Sequence, residues 1–301
     1  MKNLLTSLIL FTCIAHSHAQ KDSSAKCKAR IFSISAELGV PPWLSMQQVK
    51  QSDYQSLVPN NEMLNADYSG FKSSPGYAFM NPGFQGMPGI KVYADLGGKK
   101  YRKEIYFGLS FSKEYVSGIS YNRESYDTIG VFIDPANNKT LYDIVSINDY
   151  YNFSIVSNRW MIPLGFNFTS NQDKFFWISL GLQIAPSIST NYKFVSGHTQ
   201  NTIEYLLEPG EEVKYGNGYQ KSNHIGFSAK QTSSSLSGLG FGLYVSAPVS
   251  VYMHPFKRAK FLKHLNPMIS ASPYFGLAKH KYSNMLSGFG TIVSAGLRYN
   301  W

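Results

Sequence analysis

The last eleven residues, from Thr291 to Trp301, alternate between apolar and polar side chains. Successive side chains of a β-strand point to opposite faces of a sheet, so this segment is predicted to be a strand with one apolar and one polar face. The apolar face consists of Val293, Ala295, Leu297, Tyr299 and Trp301. Because Tyr and Trp favour the membrane–water interface, such a terminal strand is typical of one that enters a bilayer.

The same segment resembles the C-terminal β-signal of bacterial outer-membrane barrels, which reads polar, any, Gly, any, any, aromatic, any, aromatic. Its four defined positions correspond to Ser294, Gly296, Tyr299 and Trp301. The resemblance implies that the barrel-assembly machinery binds this strand, and that the strand ends on the periplasmic side.

The other end of the chain indicates export. Lys2, an apolar run over residues 4–14 and Ser17-His18-Ala19 form the pattern of a signal peptide covering residues 1–19. Residues 20–29 are then a short periplasmic segment. A lipoprotein interpretation of Cys13 is disfavoured, because residues 10–12 lack the small residue usual before a lipidated Cys. Cys27 would be the only remaining thiol, so no internal disulfide or Cys-based metal site is expected.

Composition favours a membrane protein built from strands. Charged residues make up 15% of the chain, against about 25% in typical soluble domains, and aromatic residues also make up 15%. No segment after the signal offers the roughly eighteen consecutive apolar residues of a spanning helix. The net charge is +10, but an exported protein meets little nucleic acid. The expected partners are therefore outer-membrane lipid and lipopolysaccharide phosphates.

Alternation along the chain predicts eight strands in one domain, residues 30–301, and hence an all-β, antiparallel, up-and-down transmembrane barrel. The predicted strands are residues 30–40, 86–96, 101–121, 150–169, 175–194, 236–253, 267–282 and 291–301. Long loops are expected at about 41–85, 122–149 and 196–235. The first is predicted to contain a short helix within 43–54, and the second a short hairpin at 130–133 and 141–147. Short turns near 97–100 and 171–174 fall on the opposite side, which is the normal asymmetry of outer-membrane barrels.

A soluble eight-stranded barrel of lipocalin type is the rival fold, and it would turn its apolar face inward. Here the non-apolar face is mostly Gly, Ser, Tyr and Asn, which suits a narrow filled interior. We therefore expect Phe107, Leu164 and Leu180 to point outward. The sequence as a whole also resembles the small outer-membrane β-barrel proteins common in Bacteroidetes, through Pro88-Gly89 at the second strand and an Ile-Pro-Leu strand beginning at Ile162.

Six charged residues fall on the inward face of the predicted strands: Glu37, Lys91, Asp95, Glu104, Arg159 and Arg298. Eight strands enclose a space just wide enough for side chains to fill it. A buried charge without a partner costs several kcal/mol. We therefore expect a structural ion-pair network, with a conducting interior as the alternative.

Some outer-membrane barrel families modify lipid A with Ser and His near the outer rim. This chain offers His280 with Ser283, and His198 with Ser196, but neither pair lies in a recognisable motif or has an evident orienting acid. These histidines are predicted to be solvated loop positions, and no catalytic residue, cofactor or metal ligand is expected.

The sequence thus predicts a non-enzymatic structural or interaction subunit of the outer membrane. It would act through its loops and rims, and an envelope protein complex is one expected partner. A narrow porin-like channel or ligand receptor is the alternative, and a lipid A-modifying enzyme comes third.

Overall fold

The structure is a computed structural model that describes residues 30–42, 44, 47–75, 86–97, 101–136, 138–172, 174–209, 223–255 and 262–301. The predicted signal peptide, the segment 20–29 and Cys27 lie outside these residues. Within the described ranges, no α-helix combines the length and the apolar character needed to cross a membrane.

The described residues form one antiparallel-dominated sheet of thirteen strands and one helix. The strands are β1 Arg30–Gly39, β2 Gln47–Gln48, β3 Lys72–Pro75, β4 Met87–Gly97, β5 Arg102–Ile133, β6 Thr140–Met161, β7 Leu164–Thr169, β8 Phe176–Leu207, β9 Asn223–Leu236, β10 Gly240–Ser246, β11 Val249–Met253, β12 Leu265–His280 and β13 Met285–Asn300. Helix α1 is Gln51–Leu57, and Leu262–His264 is a 3-10 turn.

Eight strands close into a ring. Two of them are interrupted, so each of these two consists of two consecutive labelled strands. The order around the ring is β1, β4, β5, β6 with β7, β8, β10 with β11, β12 and β13. The last strand returns to the first, pairing from Ser33 with Asn300 to Gly39 with Ser294. Pro163 separates β6 from β7, and Pro248 separates β10 from β11, because proline cannot donate to the ladder.

The ring has an apolar outside and a polar inside. Phe107, Leu164 and Leu180 are 43%, 41% and 53% exposed, which confirms the prediction that they point outward. Arg298 and Glu104, whose side chains lie on the inner face of the ring, are completely buried. The lipocalin interpretation, which requires apolar side chains inside, is therefore wrong.

Phe32 departs from the predicted alternation. Strict alternation over residues 30–40 would put Phe32 on the same face as Leu38, but Phe32 is 6% exposed and packs inside against Tyr93 and Tyr106. The pairing of β1 with β4 shifts register between Ile31 and Ser33. Phe32 is the extra residue of this bulge, so it is buried together with Ser33, whereas Leu38 further along the strand stays exposed.

The predicted loops at 122–149 and 196–235 are mostly strand instead. β5 and β6 stay paired to Ile133 and Thr140, and β8 continues to Leu207 with β9 along its other edge. These residues project beyond the ring as a sheet. Within 122–149, the pairing of residues 130–133 with the segment that begins at residue 140 confirms the predicted short hairpin. Alternation failed to reveal the rest because the segments are rich in Ser, Asn and Gln, and strand propensity depends strongly on neighbours.

The connection between β1 and β4 folds back over the interior. β2 and β3 add to the free edge of β5. Helix α1 begins at Gln51, inside the predicted 43–54, and ends three residues beyond it at Leu57. Tyr54, Leu64 and Tyr68 are buried in one apolar cluster with Phe153 and Phe194 of β6 and β8. We call residues 41–75 the plug.

Candidate functional site

The polar side chains inside the ring form three layers. The deepest layer, at the end of the ring away from the plug, joins the last strand to β5. Arg298 Nη1 and Nη2 donate to Glu104 Oε2 and Oε1, both at 3.1 Å, and neither side chain is exposed. Arg298 Nε donates to Ser33 Oγ of β1 at 2.9 Å. The guanidinium carbon lies 4.0 Å from the ring centre of Tyr93 and 5.2 Å from that of Trp177. The bidentate hydrogen bonds and the surrounding aromatic rings compensate the free-energy cost of burying the two charges.

Asp95 lies at the edge of this layer and not within the enclosed network. It accepts a hydrogen bond from Arg102 Nε at 2.7 Å, and both side chains keep partial exposure. Arg102 also donates to Gln172, whose amide donates to Glu104 at 2.9 Å. A continuous polar chain therefore runs from the short-turn end of the ring to the buried pair.

The middle layer contains Lys91 and Glu37, two of the six charged residues predicted to face inward. Lys91 Nζ donates to Glu37 Oε2 at 2.8 Å, and Ser35 Oγ donates to Glu37 Oε1 at 2.9 Å. A cavity of about 40 Å³ adjoins this pair, lined also by Gln183 and Ser110. A volume of that size holds on the order of two or three water molecules.

The upper layer is built on Glu114, which the sequence interpretation missed. Its Oε1 accepts from Arg159 Nη1 and its Oε2 accepts from Ser189 Oγ, each at 2.9 Å. Glu114 and Arg159 are almost fully buried. The signal was present in the sequence, because position 114 is in phase with Glu104 along the same strand and therefore faces inward.

His280 also belongs to this layer, so its prediction as a solvated loop residue is wrong. It is 2% exposed, its Nδ1 lies 2.9 Å from Tyr192 Oη, and its Nε2 lies 3.6 Å from Glu114 Oε1. β12 extends to His280, and its inward phase places the ring under the plug. Ser283 Oγ donates to the Asn284 carbonyl and not to this imidazole.

The second Ser–His pair does not form a catalytic arrangement either. Ser196 Oγ lies 2.6 Å from Thr232 Oγ1 and accepts from Asn61, whereas His198 Nε2 lies 3.2 Å from Asp149 Oδ1. The serine and the histidine thus have separate partners. A serine nucleophile needs its base within hydrogen-bond reach.

Asp149 organises a polar cluster on the projecting sheet, beyond the ring. It accepts from Arg123 Nη2 at 3.1 Å and from Gln200 Nε2 at 3.0 Å, besides the contact with His198. Burial raises the pKa of the Asp149 carboxyl, but the hydrogen bonds from His198, Arg123 and Gln200 outweigh it and hold the pKa below 3.8. Tyr151 stacks on His198 with ring centres 4.1 Å apart.

Arg159 connects the upper layer to the plug. Its Nη2 donates to the Pro42 carbonyl at 3.1 Å, and its Nη1 donates to Tyr244 Oη at 2.6 Å. Further up, Tyr54 Oη of α1 donates to Ser117 Oγ at 3.0 Å. Both contacts tie the plug to the ring wall and close the interior from above.

Three of the residues that resemble a β-signal, Ser294, Gly296 and Tyr299, lie in β13 at its seam with β1, and Trp301 directly follows the strand. Ser294 pairs with Gly39, and a Cβ at Gly296 would overlap the Ala36 carbonyl oxygen of β1. Tyr299 and Trp301 have ring centres 5.8 Å apart, and Trp301 is 51% exposed. Gly296 therefore has a local structural reason, which is the close approach of the two backbones at ring closure.

Among the described residues, no group of three or more His, Cys, Asp or Glu side chains could hold a metal ion. No protein-family model matches the chain, and no curated protein matches it. Among solved structures, it is similar to the translocator domain of autotransporter NalP from Neisseria meningitidis, with 8% identity over 100% of this chain and 98% of that chain. The TM-score of that match is 0.14, so it carries no argument about fold or function.

Proposed function

We propose that this chain is an integral outer-membrane β-barrel protein of the Bacteroidetes type, with a closed interior and a non-enzymatic role in binding partners. The observation that carries the proposal is an exposed apolar belt around a ring whose inward-facing charged residues are largely buried. A water-soluble protein has the opposite arrangement, because large apolar patches are rarely left uncovered on soluble monomers. In a bilayer it is the stable one.

The dimensions of the belt support this assignment. The outward side chains of β8 from Phe176 to Ile188 are apolar and exposed at 176, 178, 180, 182, 184 and 188. At ~3.3 Å per residue they extend about 40 Å along the strand. With a strand tilt of about 40° this gives a height of roughly 30 Å, close to the hydrocarbon thickness of a membrane.

The closed interior supports a role other than solute passage. Three polar layers centred on Glu104, Glu37 and Glu114 occupy the ring, and the plug covers its upper end. The projecting sheet of β5, β6, β8 and β9 then offers a surface outside the belt. We infer that partners bind there, at the cell surface.

The experiment expresses the full chain in a Gram-negative host and separates the outer membrane on a density gradient. The expected result is a protein in the outer-membrane fraction that resists alkaline extraction and migrates faster on a gel before boiling than after. A chain lacking Trp301 is the matched variant, expected to lose that heat-modifiable band. Wild-type protein recovered in the periplasm without detergent would refute the proposal.

Two further measurements separate the role from its alternatives. Planar bilayers containing the purified protein are expected to show no single-channel conductance, and discrete openings would favour the channel. Replacing His280 or His198 with Ala is expected to leave the lipid A of the host unchanged. A changed lipid A would favour the enzyme.

A further inference from the structure

Four lysines lie on the outside of the ring where the apolar belt meets the projecting sheet: Lys113, Lys193, Lys279 and Lys281. All four are exposed, whereas their neighbours Ser112, Glu114, Tyr192 and His280 are buried inside. Since successive side chains of a strand alternate in direction, these ammonium groups point away from the ring interior.

On β5 the lysine directly follows the belt. The outward positions Ile105, Phe107, Leu109 and Phe111 are apolar, and the next outward position is Lys113. On β12 the outward residues from Ile269 to Leu277 are followed by Lys279 and then by Lys281 just beyond the strand. The lysines therefore lie at the level where hydrocarbon gives way to lipid headgroups.

The lysines also lie close together across the sheet. Lys113 pairs with Asn158 of β6, and Lys193 pairs with Val156, two residues along the same strand. With strands about 4.8 Å apart, the two Cα atoms are about 12 Å apart. Lys193 in turn pairs with Ser235, and Lys281 Nζ donates to the Ser237 carbonyl at 3.0 Å. One patch thus covers the neighbouring strands from β5 to β12.

Nothing anionic in the described part of the chain neutralises this patch. Among the described residues, no carboxylate oxygen lies within 4.0 Å of any of the four ammonium groups, whereas Lys91, Lys139 and Lys230 each have one. Lys279 and Lys281 each donate to a single backbone carbonyl. An ammonium group has three donors, so each retains hydrogen-bonding capacity for an external anion.

We propose that this patch binds the phosphate groups of a phosphorylated glycolipid in the outer leaflet, with the acyl chains lying along the belt below it. The inference rests on the proposed membrane location. A lipid is favoured over a soluble anion because the charges adjoin an apolar wall, and together these recognise a molecule that is anionic at one end and apolar at the other.

The test uses the full-length protein in zwitterionic detergent and purified bisphosphorylated lipid A as the probe, with binding followed by native mass spectrometry and titration. The variant is Lys113→Gln with Lys193→Gln and Lys281→Gln. The matched control removes the same charge at the opposite rim, through Lys103→Gln with Lys174→Gln and Lys263→Gln. We expect the variant to bind about 10- to 100-fold more weakly, and the control within about twofold of wild type.

Lipid A stripped of its phosphates is expected to bind like the variant, and higher ionic strength is expected to weaken wild-type binding. Equal affinity of variant and wild type would overturn the inference, as would equal loss in the control. Displacement of the lipid by inorganic phosphate alone would show a soluble-anion site instead. Heat-modifiable migration is measured on every sample. Its absence in wild type refutes the membrane proposal, whereas its presence with unchanged binding refutes only the lipid site.

Discussion

Arg298 of the last strand and Glu104 of β5 form a bidentate ion pair from which solvent is completely excluded. The pair links elements almost two hundred residues apart in the sequence, on either side of β1 and β4. The strand that closes the ring is therefore also held from inside it.

Replacing Glu104 with Gln should strongly destabilise the protein, because a buried guanidinium is left without its counter-charge. Loss of one partner of a buried pair typically costs about 3–5 kcal/mol. Urea unfolding in detergent, followed by the heat-modifiable band, measures it. The double variant Glu104→Gln with Arg298→Met should recover part of the loss, and an additive loss would contradict this explanation.

Arg159→Met should loosen the plug, because Arg159 donates to the Pro42 carbonyl and also neutralises Glu114. We expect faster cleavage by chymotrypsin within residues 41–75 and the appearance of bilayer conductance. Arg102→Met at the other end of the ring is the control, since Arg102 contacts Asp95 and Gln172 but not the plug. Equal protease resistance in both variants would contradict the conclusion that Arg159 holds the plug in place.

A charge at the middle of the belt should impair insertion. Leu182 is 68% exposed near the centre of the outward face of β8, and a lysine at the bilayer midplane of a barrel costs about 2–4 kcal/mol. Thr190→Lys on the same face, near the rim, should cost at most about 1 kcal/mol. The folded fraction in lipid vesicles measures both, and equal effects of the two lysines would argue against a bilayer around this belt.

Gly296→Ala should hinder closure of the ring, because the new Cβ meets backbone atoms of β1 that cannot turn aside. We expect a loss of about 1–3 kcal/mol, as for other overpacked sites. Gly290→Ala is the matched control in the same strand, where a Cβ would lie 3.2 Å from the movable Tyr274 side chain. Assembly rates of the two variants are compared, and equal rates would contradict a backbone constraint at 296.

The Asp149 cluster should make the projecting sheet sensitive to acid. Its pKa is lowered in the folded state, so the carboxylate contributes stability above its ordinary pKa of 3.8, and this contribution is lost as pH falls through the lowered value. Hydrogen exchange of β6 and β8 should therefore accelerate below about pH 4. Asp149→Asn should exchange faster at neutral pH and lose most of this acid dependence, whereas Asp127→Asn should behave as wild type.

Alternation by itself determined which segments form the strands of the ring and which face of each strand points outward. Phe107, Leu164 and Leu180 could be assigned because inward and outward positions differ in polarity over many consecutive pairs. The same phase placed Glu37, Lys91, Glu104, Arg159 and Arg298 inside. The same phase also includes Glu114, which is the second inward position after Ser110 on β5, so its inward direction was predictable from the sequence.

Tertiary structure alone decided the features that break or extend that period. The bulge in β1 places Phe32 inside. Beyond the ring, β6 and β8 have strand partners on both sides that complete their backbone hydrogen bonds, and β5 and β9 form the edges of that sheet. The burial of His280 and the closure by the plug depend on contacts between residues far apart in sequence. A two-residue period records only the direction of each side chain, whereas these outcomes depend on what lies across the ring from it.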